Sequence, residues 1–129
     1  VETLRIEDSP PVTAPDGCTV IPLLSLDTGS LAHCTLAPGG VSYAVRHRVI
    51  QEIWYFVAGR GELWRRDSAT GHEEIVVCEP GLSITIPEGV QFQFRNTGAE
   101  PLVFLCCTMP PWPGAHVATV VPGKWEAKP

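Results

Sequence analysis

Long apolar runs are missing from this chain. The longest, Leu102 to Cys107, has the length of a strand and falls far short of the roughly 18 residues a membrane-spanning helix requires. The sequence therefore predicts a soluble protein with no membrane partner. Basic residues are also scarce: 9 Lys and Arg stand against 14 Asp and Glu, for a net charge of −5 and a pI near 5.2. That balance lacks the electrostatic footprint of a nucleic-acid binder. Signals of disulfide pairing are absent as well. Cys18, Cys34, Cys78, Cys106 and Cys107 are odd in number and show no C-x-x-C spacing, and no charged-then-apolar leader precedes them. Reduced thiols and a cytoplasmic location are expected. Finally, no stretch sustains a 3.6-residue apolar period, and 13 prolines with 12 glycines interrupt nearly every interval, so very little helix is expected.

What the chain does contain is a rhythm. Short apolar or alternating runs recur at Val20–Leu26, Leu31–Leu36, Val41–Val49, Ile53–Val57, Glu62–Arg66, Glu73–Cys78, Leu82–Ile86, Gln91–Arg95 and Leu102–Thr108, each bounded by Gly, Pro, Asn or Asp. This spacing predicts an all-β sandwich or barrel. With 129 residues, 44% hydrophobic and 18% charged, the chain forms one domain that buries about two-thirds of its unfolded surface. Residues 1–19 read as an extended Pro-rich arm, with a strand at Leu4–Ile6 as a second option, and residues 20–109 as the barrel. Residues 110–129 read as a PPWPG segment, one last strand and a tail of the same domain. Asp67 to Gly71 reads as a short hairpin loop.

Two stretches carry chemistry. GGVSYAVRHRVIQEIWYFVAGRG, from Gly39 to Gly61, alternates, turns and alternates again, and brings His47 and Glu52 to one turn. GLSITIPEGVQFQFRN, from Gly81 to Asn96, answers it. The spacing Gly81, Pro87, Gly89, Phe92, Asn96 resembles the second cupin motif without a gap, and Gly39, His47, Glu52 and Gly59 resemble the first. The resemblance covers roughly residues 35 to 105. It implies a double-stranded β-helix, a jelly-roll barrel of two antiparallel sheets, and through the family a homodimer, with the arm able to cover a partner's sheet edge.

The same resemblance implies a metal site, and two of its positions are changed. Metal-binding cupins offer two His and one Glu from the first motif and a His from the second, all inward. Here the first His position is Val45 and the last is Phe92, leaving His47 and Glu52. A divalent metal (Fe, Mn, Ni or Zn) would need help from a residue such as His33, Cys34, Gln91 or Gln93, because two protein ligands fall short of the usual three. Alternation arbitrates the register. Tyr43, Val45, His47 and Val49 form the more apolar set and should face inward, against an alternative that puts Arg46 and Arg48 in the barrel for an anionic ligand. By the same rule Trp54 and Phe56 accompany Glu52, and Phe94 accompanies Phe92, leaving Gln91, Gln93 and Arg95 on the other face.

The expected pocket, lined by Tyr43, Val45, Trp54, Phe56, Phe92 and Phe94, suits a small apolar or aromatic molecule. The aromatic residues read equally as core filling. An imidazole beside a carboxylate in apolar surroundings is an acid–base pair for isomerase, dehydratase, cyclase or lyase chemistry. Three other readings stay open: a non-catalytic ligand-binding barrel, a metal-dependent, dioxygenase-like enzyme with an unusual ligand set, and a structural pair left from a metal site. Trp112 and Trp125 either staple the C-terminal segment over the barrel mouth or sit at a subunit interface.

Overall fold

The computed structural model describes residues 1–129. Eleven strands follow in order: β1 Val12–Thr13, β2 Thr19–Leu26, β3 Gly29–Leu36, β4 Val45–His47, β5 Gln51–Ala58, β6 Gly61–Arg66, β7 Glu73–Cys78, β8 Ser83–Ile86, β9 Gln91–Asn96, β10 Leu102–Met109 and β11 Ala118–Val120. The only helical segments are 3-10 turns at Ile6–Asp8 and Ala115–Val117, so Leu4–Ile6 is not a strand. The strands form two antiparallel sheets, ordered β1-β2-β3-β10-β5-β8 and β11-β4-β9-β6-β7. The architecture is the jelly-roll barrel that the sequence predicts.

Burial follows the period of two. Along β5, Glu52, Trp54 and Phe56 are buried while Ile53, Tyr55 and Val57 are exposed. Along β10, Leu102, Phe104, Cys106 and Thr108 are buried. Cross-strand register aligns these sets, with Phe104 opposite Phe56, Cys106 opposite Trp54 and Thr108 opposite Glu52. At Gly59 the chain leaves one sheet for the other. Its φ of +84° suits only glycine, and a Cβ there would strike the carbonyl of Pro101. The loop Asp67–Gly71 closes the β6–β7 hairpin, with Asp67 Oδ1 accepting the Ala69 N–H at 2.9 Å and Gly71 at φ +76°.

The expected strand Val41–Val49 is shorter than the alternation suggests, because only Val45–His47 pairs as a strand. Before it, Ser42 is buried, Tyr43 is 43% exposed, and Ala44 and Val45 are both buried, so the alternation breaks at Ala44. Val45 and His47 nevertheless face inward while Arg46 and Arg48 are exposed, and the arginine-lined register is not adopted.

Residues 12–18 fold against the barrel. β1 pairs with β2, and the turn that follows is held by Ala14 N–H to Cys18 O and Gly17 N–H to Ala14 O, both at 2.9 Å. The chain's last residues run along the other sheet, where Val41 and Lys128 exchange two backbone hydrogen bonds.

Candidate functional site

One end of the barrel is packed solid and the other is open. Trp54 stacks on Phe104 with ring centroids 4.2 Å apart and meets Phe92 and Phe94 edge-on at 5.3 Å each. Phe56, Leu63, Leu102, Leu36 and Cys78 complete this plug. Above it lies a cavity of about 330 Å³. Its floor is Trp54, Phe104 and Cys106, its walls come from β1, β2 and β3, and its rim carries Pro111, Trp112 and Ala115.

Of the residues expected to line the pocket, His47, Glu52 and Trp54 do so. Phe56, Phe92, Phe94 and Val45 do not: they are fully buried in the aromatic plug, where their bulk is spent on packing. Tyr43 lies outside the barrel because of the break at Ala44. These five belong to core or surface and not to the cavity lining.

β4 and β5 bring His47 and Glu52 together from either side of the turn at Arg48–Ile50. Each is 6% exposed, and His47 Nδ1 stands 3.8 Å from Glu52 Oε1. Both carboxylate oxygens are otherwise engaged: Trp54 Nε1 donates to Oε1 at 3.1 Å and the Thr108 hydroxyl donates to Oε2 at 2.6 Å. His47 Nδ1 is buried and has no hydrogen-bond partner. The imidazole is wedged edge-on between Phe92 at 5.2 Å and Trp112 at 5.5 Å. Burial holds its pKa below the ordinary histidine value, with the carboxyls of Glu52 and Asp16 pulling the other way.

Asp16 and Thr108 enter the site without having been expected there, while Trp112 takes the barrel-mouth position, one of its two expected places. Asp16 is 8% exposed and lines the cavity, with Oδ1 accepting the Cys18 N–H at 3.0 Å. Burial pushes its carboxyl above the usual carboxylate range, and Cys18 hydrogen bonds partly offset this. Thr108 was legible in principle, since it continues the inward set Phe104, Cys106 on β10. Nothing in the spacing of APDG marks Asp16. Cys18, Cys34 and Cys106 also reach the cavity. Hydrogen bonding to Cys34 and then burial raise the Cys18 thiol, and burial raises Cys106, so neither is a ready thiolate.

The donor set does not fit a divalent metal. No three His, Cys, Asp or Glu side chains converge on one point, and Glu52 spends both oxygens on protein donors. The residues named as helpers do not complete it. Gln93 sits on the outer face of β9 as expected, but is covered there by the tail and bonded to it on both ends of its amide. His33 and Gln91 do not line the cavity, and Cys34 does so only among the thiols.

An inward, alternating lining within two antiparallel sheets, with His47 and Glu52 beside the cavity, defines a small antiparallel β-barrel with one end left unfilled. The chain belongs to the cupin family, whose cupin domain profile matches residues 32–108, more than half of the sequence. An uncharacterized protein of Methanocaldococcus jannaschii is 31% identical over 83 residues, covering 64% of this chain and 62% of that protein. Among solved structures, an oxalate decarboxylase of Bacillus subtilis superposes with a TM-score of 0.76 at 22% identity over 91% of this chain and 31% of its own. That enzyme is described with Mn(II) centres. CapF, solved with the inhibitor 3-isopropenyl-tropolone, gives 0.72 at 16% identity over 87% of this chain and 34% of its own. The chain thus spans about a third of the length of these structures and under two-thirds of the archaeal relative. No helix is long and apolar enough to cross a membrane.

Proposed function

We propose that this cupin binds a small, largely apolar or aromatic organic molecule in its open half and acts on it by proton transfer, in the manner of an isomerase, dehydratase, cyclase or lyase. The observation that carries this reading is the partnerless, buried Nδ1 of His47 facing a carboxylate whose position is fixed by Trp54 and Thr108. With the proton on Nδ1, the nitrogen toward Glu52, the other ring nitrogen Nε2 is free to take a proton from a molecule in the cavity. The imidazolium that forms is then stabilised by Glu52. Burial keeps the resting ring neutral, the state a base requires. The five free cysteines accord with a reducing, cytoplasmic setting.

The test is exchange of carbon-bound hydrogen. Small aromatic carbonyl compounds, with and without an amino group, are incubated with the protein in D2O and followed by proton NMR. Deuterium is expected to enter the carbon next to the carbonyl, and His47→Gln is expected to slow this by about 10²- to 10⁴-fold. Exchange that is indifferent to His47→Gln overturns the base. Binding with no exchange by the wild type leaves a non-catalytic ligand-binding barrel.

We further propose that two copies pair through the outer face of the six-stranded sheet. There Ile53, Tyr55 and Val57 of β5 are 40–47% exposed, and Leu31 of β3 continues the patch. An apolar sheet face of this kind favours association. Light scattering is expected to return twice the 14.0 kDa chain mass; a monomer mass at micromolar concentration sinks the proposal.

A further inference from the structure

No lysine or arginine is among the residues that line the cavity. The charged side chains that reach it are Asp16 and Glu52, with His47 as the one titratable base. Glu52 is close enough to oppose the ionisation of Asp16, and His47 acts on Asp16 in the opposite sense. Asp16 is delivered by the turn Ala14–Cys18, where Gly17 adopts φ +92° and so lets the chain reverse over the mouth. Trp54, Phe104 and Trp112 present aromatic surface to the same space.

Resting on the reading of the barrel as a small-molecule site, we propose that its ligand is cationic: a small ammonium compound whose charged group is held by Asp16, with Glu52 adding negative potential, and whose apolar body lies against the aromatic walls. Two buried carboxyls without a counter-cation are costly, and an ammonium group supplies the missing charge. Trp112, 39% exposed at the rim, offers an aromatic ring that attracts the same charge through its quadrupole. An anionic ligand would meet two carboxyls and no lysine or arginine. A neutral ligand of the same shape gains the apolar contact and leaves the carboxyl pair uncompensated. His47 belongs to this same lining, so a cation held by Asp16 places its adjoining carbon beside the ring whose Nε2 serves as the base.

Three probes of one shape decide it: 2-phenylethylammonium, 2-phenylethanol and phenylacetate, each titrated calorimetrically into the full chain at neutral pH. The ammonium is expected to bind about tenfold or more tighter than the alcohol, and phenylacetate weakest of the three. Asp16→Asn retains an acceptor for the Cys18 N–H and is expected to reduce the ammonium's advantage to about threefold or less while leaving the alcohol's affinity unchanged. Asp16→Ser, which also keeps an oxygen there, serves if the Asn variant does not fold. Phenylacetate binding as tightly as the ammonium, or an ammonium-to-alcohol ratio unmoved by the Asp16 variants, overturns the proposal. Equal binding of alcohol and ammonium removes the cation and keeps the apolar site. Failure of all three probes at millimolar concentration removes both.

Discussion

Trp54→Ala is expected to cost about 4 kcal/mol of folding stability, near the middle of the range for truncating a buried tryptophan. Trp54 is 2% exposed and touches four phenylalanines, stacking on Phe104 and meeting Phe56, Phe92 and Phe94 at an angle. Those rings come from both sheets, so the vacated volume cannot close by movement of one strand. A second loss adds to the first, because the indole N–H also donates to Glu52 Oε1. Removing it leaves a buried carboxylate oxygen short of a donor, a penalty of about 1–3 kcal/mol. Trp54→Phe separates the two terms, since it keeps most of the aromatic contact and drops only the hydrogen bond. Urea midpoints for the two variants provide the measurement. A loss below about 1.5 kcal/mol for Trp54→Ala would mean that the plug is not centred on this residue.

Gln93→Ala should be nearly as damaging, by about 3 kcal/mol, for a reason that has nothing to do with apolar packing. The side chain is 1% exposed, and its amide makes four hydrogen bonds to backbone. Nε2 donates to Ser42 O at 2.8 Å and Trp125 O at 2.9 Å, while Oε1 accepts Lys124 N–H at 2.8 Å and Trp125 N–H at 2.9 Å. Alanine would strand all four partners. The tail fits closely over this amide: a Cβ on Gly123 would collide with Gln93 Oε1, and the Trp125 ring lies 4.3 Å from the Arg95 guanidinium carbon. Amide hydrogen exchange at Lys124 and Trp125 is expected to accelerate sharply in the variant. Unchanged protection of those two amides would show that the tail is held by Trp125 and not by Gln93.

These residues also mark what can be read from the chain alone. Strand alternation and glycine spacing carried the barrel, because a two-residue period with one buried face leaves little freedom of register. They carried the inward facing of His47, Glu52 and Trp54 for the same reason. Alternation failed at Tyr43, where the chain before β4 is not paired as a strand and has no period to keep. It placed Gln93 on the outer face correctly yet could not disclose that residues 123–125 cover that face. The aromatic pairs Trp54–Phe56 and Phe92–Phe94 were visible, but a sequence does not say how far along a barrel the packing stops and the cavity begins. Asp16 was beyond reach for another reason: it lies outside any strand, and only the three-dimensional return of its turn brings it over the mouth.

Asp16 and Trp112 share a further property. Both stand outside residues 32–108, the span that matches the cupin domain, and yet both line the cavity. Strands β4, β5 and β10 supply His47, Glu52 and the aromatic floor, while the chain on either side of residues 32–108, β1 and β2 included, supplies much of the wall. Two chains with the same barrel motifs can therefore differ in what they hold, and exchanging only the turn around Asp16 and the segment around Trp112 would change the cavity wall and keep the aromatic plug of Trp54, Phe56, Phe92, Phe94 and Phe104. Motif similarity within the domain sorts such proteins by scaffold; sorting them by ligand requires reading the sequence on either side.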